Sequence, residues 1–327
     1  MPDSDSNNTT LSNLPKPLSL FGNDLFGNEI KQAFSGVLAN RYIAPPFTVL
    51  DSRAGSWQER KRAWISLGIN SEIGREAKSY NTQEWIKEKN ISGNNGYQSG
   101  VSIFDPVLTE IIYKWFCPLG GQIIDPFAGG SVRGIVASFC DFDYWGCDIS
   151  EKQIIANNEQ SKALLQNNKN KPTWIIGDSA EKLIDAPNAD FLFSCPPYGD
   201  LEKYSDNPKD LSNMEWWTFE AAYKLIIFKA VQKLKDNSFA CFVVGDFRDE
   251  KGFYRNFVSK TIESFENAGC KLYNEAILLN ATGSAAIRAE GQFANNRKLV
   301  KTHQNVLIFC KGDWKQAAQS INAKGNK

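Results

Sequence analysis

An α/β fold, with a mostly parallel sheet covered by helices on both faces, is what the sequence predicts from three observations. Between about Val101 and Asp313, short apolar runs alternate with segments of helical period, as in strands joined by covering helices. Acids close three successive runs, at Asp125, Asp148 and Asp178, the carboxyl edge where such sheets bind ligands. A fourth run meets Pro196 and Pro197, which a central strand cannot hold, so that strand stops at about Ser194.

Residues 1–40, rich in Ser, Asn, Asp, Pro and Gly, read as a flexible arm. Residues 41–100 form an N-terminal extension centred on a basic, aromatic helix in Gly55-Ser56-Trp57-Gln58-Glu59-Arg60-Lys61-Arg62-Ala63-Trp64, with Ser56 as its N-cap. The main domain is expected over 101–314. Strands are expected at Gln122–Asp125, Asp143–Cys147, Thr173–Ile176, Asp190–Ser194, Phe239–Val244, Lys271–Leu279 and Asn305–Cys310. Helices are expected at Val132–Phe139, Glu151–Gln166, Glu215–Leu234 and Tyr254–Asn267. Residues 282–302 read as a long loop and 315–327 as a flexible tail.

Composition narrows the function. Thirty-seven basic residues balance thirty-seven acidic ones, so any nucleic-acid contact must come from local patches. The seven cysteines form no CxxC pair or zinc spacing, and a single histidine, His303, removes HExxH proteases and multi-histidine metal sites. No metal is expected. No apolar run reaches membrane-span length and the N-terminus lacks a signal peptide's apolar region, so no membrane contact and a reduced, cytoplasmic setting are expected.

Ile123-Ile124-Asp125-Pro126-Phe127-Ala128-Gly129-Gly130-Ser131 is a strand, an acid, a Gly-rich turn and a helix start. A phosphate-binding P-loop would need a GK[ST] ending, which is missing, and a dinucleotide fingerprint would need its glycines straight after the strand. Asp148 falls where an acid about 20 residues on commonly accepts from ribose hydroxyls. Asp190 to Asp200 then places Ser194-Cys195-Pro196-Pro197-Tyr198 at the same edge of the sheet.

These two motifs resemble those of the amino (N4-cytosine/N6-adenine) DNA methyltransferases of phage and prophage type. The matching segments are PPFTVLDSRAGSWQERKRAW, DPFAGGSVRG, SCPPYGDLEKYSD, VVGDFRDEKG and THQNVLIFCKGD, spread from Pro45 to Asp313. The resemblance implies a class I methyltransferase, Rossmann-like, with a seven-stranded sheet, and S-adenosylmethionine as cofactor. It assigns Asp125, Pro126, Phe127, Gly129, Gly130 and Ser131 to the cofactor's methionine end, with Phe104 and Asp105 closing over it. Asp148 then serves the ribose and Asp178 the adenine amino group. Cys195, Pro196, Pro197 and Tyr198 are the implied catalytic motif.

An exocyclic base amine is a poor nucleophile because its lone pair is delocalised into the ring. Acceptors on its N–H bonds draw it toward tetrahedral geometry, and the aromatic stacks on a base flipped out of the duplex. This sequence has Cys195 where the resembled motif has Asp, Asn or Ser, a weaker acceptor. Alternatives therefore stay open: a Cys195 thiolate adding to carbon 6 of cytosine, an RNA methyltransferase, or a non-catalytic DNA-binding scaffold. Arg60, Arg62, Tyr204, Arg288, Arg297 and Lys298 are the candidate DNA contacts. Trp216, Trp217, Asp246 and Arg248 follow as second-tier pocket candidates, and His303 as a positioning or packing residue. DNA is the expected partner, with homodimerisation left open.

Overall fold

The computed structural model describes residues 37–70, 104–199, 207–281, 283 and 285–325. Tyr204 and almost all of the expected arm lie outside them. Along the chain run α1 (Val37–Tyr42), β1 (Val49–Asp51), α2 (Gly55–Ser66), α3 (Pro106–Phe116), β2 (Gln122–Asp125), α4 (Val132–Phe139) and β3 (Asp143–Asp148). There follow α5 (Glu151–Leu164), β4 (Thr173–Ile176), the one-turn α6 (Ser179–Lys182), β5 (Ala189–Ser194) and α7 (Trp216–Lys233). The chain continues through β6 (Leu234–Val244), α8 (Phe257–Asn267), β7 (Cys270–Leu279), α9 (Ala285–Asn296), β8 (His303–Lys311) and α10 (Trp314–Gly325).

The strands form one sheet in the order β1-β7-β8-β6-β5-β2-β3-β4. Every pairing is parallel except those of β8, which runs antiparallel to both β6 and β7. This is the Rossmann-like class I methyltransferase fold, enlarged by one strand. The expected seven strands become eight because Val49-Leu50-Asp51 pairs with Ile277-Leu278-Leu279 at the sheet edge. Three residues carry too little alternation to register as a strand.

Strand alternation builds two cores. Ile123, Phe191, Phe193 and Cys241 enter one with Trp57, Trp64, Ile111 and Tyr113 from α2 and α3. Ile124, Leu192, Phe242 and Phe309 face the other, against Tyr223 and Ile227 of α7 and Phe257 and Phe265 of α8. Gly134 of α4 has a packing reason: a Cβ there would lie 2.4 Å from the Trp174 ring.

Three local expectations change. α2 begins at Gly55 with Ala54 in the N-cap position and no side-chain cap, so Ser56 lies inside the first turn. The connection expected as a long loop holds α9, and the tail expected to be flexible is helical as α10, where Ala317 is buried against the core. Among the described residues no helix is long and apolar enough to cross a membrane.

The basic helix α2 docks by a buried ion pair. Arg60 donates to Glu110 of α3 through Nε (2.7 Å) and Nη2 (2.6 Å), and Trp64 Nε1 donates to the same carboxylate at 2.9 Å. Arg60 is thus half-buried against α3, while Arg62, two residues on, is exposed. Burial pushes the Glu110 carboxyl upward most strongly, but Arg60, Lys114 and Trp64 together hold it below its ordinary value. A depressed folded-state pKa means the pair stabilises above the unfolded value of about 4.3 and stops doing so as pH falls through the folded value. Glu110→Ala should therefore lose about 3–5 kcal/mol at pH 7, with Arg60 left unpaired. Urea titrations at pH 7 and in acid should show that gap to wild type narrowing as pH falls.

Candidate active site

The carboxyl edge of the sheet opens into one cavity of about 760 Å³. Its floor begins at the turn after β2. Gly129 takes φ 51°, a left-handed backbone that favours glycine, with its N–H donating to Asp148 Oδ2 at 2.8 Å. Asn157 Nδ2 holds the Gly129 carbonyl from the other side at 2.8 Å. Pro126, Phe127 and Gly129 line the cavity, as do Asp148 and Asp178 at the ends of β3 and β4. Asp178 also accepts from the Ala180 N–H at 2.8 Å, capping α6.

Asp125 is placed differently from its expected role. Its carboxylate is fully buried beneath the floor rather than facing the cavity. Arg133 Nε donates to Oδ2 at 2.5 Å and Tyr144 Oη to the same oxygen at 2.7 Å. Ser194 Oγ donates to Oδ1 at 2.5 Å, and the Phe127 N–H also approaches Oδ1, at 3.2 Å. Burial pulls the Arg133 pKa down most strongly, but the Asp125 charge, with Tyr144, Cys195 and the hydrogen bond to Asp125, together hold it above its ordinary value. Arg133 Nη2 then donates to the Phe127 and Ala128 carbonyls, at 2.5 and 3.0 Å, locking the turn. Its outer face lines the cavity and carries the Phe104 ring, 4.7 Å from guanidinium to centroid. Ser131 is likewise buried, donating to Gln160 Oε1 at 3.1 Å, and Gly130 does not line the cavity.

Phe104 and Asp105 form the upper wall. Asp105 caps α3 by accepting from the Val107 N–H at 2.9 Å, and α2 pins it through Trp57 Nε1 (3.2 Å) and Lys61 Nζ (3.1 Å). Across the cavity Cys195, Pro196, Pro197 and Tyr198 follow β5 and all line it. The Tyr198 ring packs edge-on against Phe247 and Phe257, each 6.1 Å away by centroids, and its hydroxyl accepts from Gln304 Nε2 at 2.7 Å. Burial holds that phenol well above its ordinary pKa.

Reversal of β8 brings its N-terminal end, His303 and Gln304, to the edge where the other strands finish, with Lys301 just before it. Gly245, Asp246 and Phe247 from β6 meet them. Burial lowers the Lys301 pKa against the opposing pull of Asp246, and burial with the Lys301 charge lowers that of His303. Lys301 belongs to the 282–302 segment that reads from sequence as a long loop, and it lines the cavity. Arg288 and Arg297 lie exposed on and after α9, outside the cavity, while Lys298 is half-buried beside Gly252. Trp216 lies under the Arg255 guanidinium at 4.5 Å, whereas Trp217 is 80 % exposed.

Two residues that sequence reasoning missed do carry a signal. Arg133 is the single charge in the apolar helix VRGIVASF, and Tyr144 alternates with Trp145 so that only Tyr144 faces Asp125. Among the described residues no group of three or more His, Cys, Asp or Glu could hold a metal ion.

No protein-family model and no curated protein matches the chain. Solved structures similar to it include TrmN from Thermus thermophilus, at 13 % identity and TM-score 0.43, covering 64 % of this chain. The match spans 49 % of TrmN, about half its length. The magnesium protoporphyrin IX methyltransferase ChlM from Synechocystis PCC 6803, with bound SAM, is 11 % identical over 71 % of this chain and 93 % of its own, with TM-score 0.41. A TehB-like SAM-dependent methyltransferase from Corynebacterium glutamicum is 16 % identical over 70 % of this chain and 95 % of its own, with TM-score 0.40.

The internal network makes its own prediction. Asp125→Asn should lose about 3–5 kcal/mol because Arg133 stays buried without its counter-charge. Tyr144→Phe, which removes one donor to the carboxylate, should lose about 1.5–3 kcal/mol. Equilibrium denaturation checks both; a loss near zero for Asp125→Asn would contradict the network.

Proposed function

We propose that this chain is an S-adenosylmethionine-dependent methyltransferase that modifies an exocyclic amino group of a flipped-out DNA base. One observation carries the reading: a single cavity joins the strand-end carboxylates Asp148 and Asp178 to the Cys195-Pro196-Pro197-Tyr198 turn. Its volume, about 760 Å³, lies in the upper part of the range of roughly 300–1,000 Å³ for ligand pockets, consistent with cofactor and base together.

The donor set fits the cofactor. A nucleoside bearing a charged amino-acid tail needs acceptors for ribose hydroxyls and an adenine amine, and Asp148 and Asp178 supply carboxylates at two neighbouring strand ends. The Gly129 turn lets backbone approach the ligand closely, and Phe104 with Asp105 would close over the methionine portion. When bound, the cofactor supplies an electrophilic methyl group on a sulfonium. The chain's own residues orient the acceptor: the Pro196 carbonyl accepts from the base amine, and Tyr198 walls the base. Positioning of this kind supplies up to roughly 7–11 kcal/mol in favourable systems.

DNA as the polymer is supported by exposed Arg62, Arg288 and Arg297, together with exposed Trp217 and with Phe253 and Tyr254 in the β6–α8 connection. Base stacking on aromatics beside phosphate-binding cations is how nucleic acid is held without charge excess overall.

Incubation with methyl-labelled cofactor and unmethylated DNA, followed by nucleoside mass spectrometry, should yield N4-methylcytosine or N6-methyladenine. 5-Methylcytosine, or label found in RNA alone, would sink the proposal. Cys195→Ser keeps an acceptor and should retain methyl transfer within about tenfold, whereas a thiolate mechanism demands complete loss. Asp178→Ala should weaken cofactor binding at least tenfold by calorimetry, one lost hydrogen bond to a charged acceptor being worth about 1.5–3 kcal/mol.

A further inference from the structure

Cys195 leaves a chemical gap. A base amine offers two N–H bonds, and the Pro196 carbonyl can accept from one; a thiol is a poor acceptor for the other. Ser194 cannot fill the place, because its hydroxyl is buried and donates to Asp125. A carboxylate at this end of the cavity comes from the terminus of β6: Asp246 lines it, next to Gly245.

Gly245 marks how close these groups come. A Cβ built there would lie 3.9 Å from the Tyr198 hydroxyl and 3.9 Å from Lys301 Nζ. The β6 terminus, the catalytic turn and the Lys301 ammonium therefore converge on one spot. Lys301 is steadied there by Asn305 Oδ1 at 3.4 Å. Asp246 is steadied by the Val258 N–H, which donates to Oδ1 at 3.2 Å at the start of α8.

Resting on the amino-methyltransferase reading above, we propose that Asp246 and Lys301 form a dyad that grips the amidine edge of the target base. The carboxylate accepts from the exocyclic amine, and the ammonium donates to the ring nitrogen beside it. That edge, an amino group on a carbon doubly bonded to a ring nitrogen, is shared by cytosine and adenine. It is absent from thymine, whose corresponding edge is a carbonyl beside an N–H. Burial lowers the Lys301 pKa while Asp246 opposes the shift, which ties the two charges to one environment.

The dyad also completes the proton balance. On transfer the amine nitrogen forms a bond to the methyl carbon, and the carbon–sulfur bond breaks with its electron pair left on sulfur. The nitrogen's surplus proton leaves to the Asp246 carboxylate, and from there to solvent. Asp246 is thus a catalytic residue, and Lys301 a specificity-determining one.

Asp246→Asn tests this with little threat to the fold, since Asn keeps an oxygen to cap α8. It should lower kcat on DNA by about 10²-fold or more, the scale of lost general-base catalysis, with cofactor affinity by calorimetry unchanged. Lys301→Met should raise KM for DNA at least tenfold, again with cofactor affinity unchanged. Full activity of Asp246→Asn, or parallel loss of cofactor binding in both variants, overturns the dyad. If the wild-type protein makes 5-methylcytosine or modifies no nucleic acid, the underlying reading fails and the dyad with it. If it makes an N-methylated base while Asp246→Asn stays fully active, only the dyad fails.

Discussion

The Asp125 carboxylate is the constraint on which the functional edge of this sheet depends. An ionised carboxyl removed from water is tolerated only when its oxygens are satisfied, and four donors from different parts of the chain do this. Tyr144 comes from the neighbouring strand β3, Arg133 from the helix after the glycine turn, Ser194 from the end of β5 and the Phe127 N–H from the turn itself. Because β2 lies between β3 and β5, one side chain at its end reaches all of them. The same contacts set the start of the proline turn, since Ser194 precedes Cys195. They also fix the Phe127 and Ala128 carbonyls through Arg133. Gly146 shows how tightly the arrangement is drawn, for a Cβ there would meet the Tyr144 ring and hydroxyl at 2.7 Å.

Sheet topology then decides what the edge can hold. Seven strands deliver their carboxyl ends, and reversed β8 delivers its amino end with His303 and Gln304. Both signs of charge line the cavity, with Lys61, Arg133 and Lys209 also on its wall. Carboxylates Asp148 and Asp178 stand after β3 and β4, while Lys301 and His303 stand toward β6 and β8, with Asp246 facing Lys301.

Much of this can be read in one dimension, because strand alternation and its punctuation are local. Pro196 and Pro197 stop β5 whatever lies around them, and the apolar run before Asp125 is β2 from end to end. Helices α9 and α10 escape such a reading because their polar composition resembles that of a loop, although AAIRAEGQFANN is rich in good helix formers. What sequence cannot distinguish is one strand-end acid from another. Asp125, Asp148 and Asp178 look alike along the chain, yet Asp125 is fully buried among donors from four separate positions while the other two line the cavity. Arg60 illustrates the same limit: its partner Glu110 lies fifty residues away, so a cation in a basic run reads as surface until α3 packs beside it.

The division between Ser194 and Cys195 follows from the same physics. A strand sends successive side chains to opposite faces, so one of the two must go to the core and the other toward the cavity. Serine at the inward position supplies the hydroxyl that Asp125 needs, and an apolar residue there would leave that buried oxygen one donor short. The outward position lines the cavity. Cysteine is a small, mostly apolar side chain, and it packs against the core flank while lining the cavity. Polarity on this wall of the cavity must therefore come from groups other than Ser194 and Cys195. Along that wall they are the charged side chains that stand just after β6 and just before β8, Asp246 and Lys301.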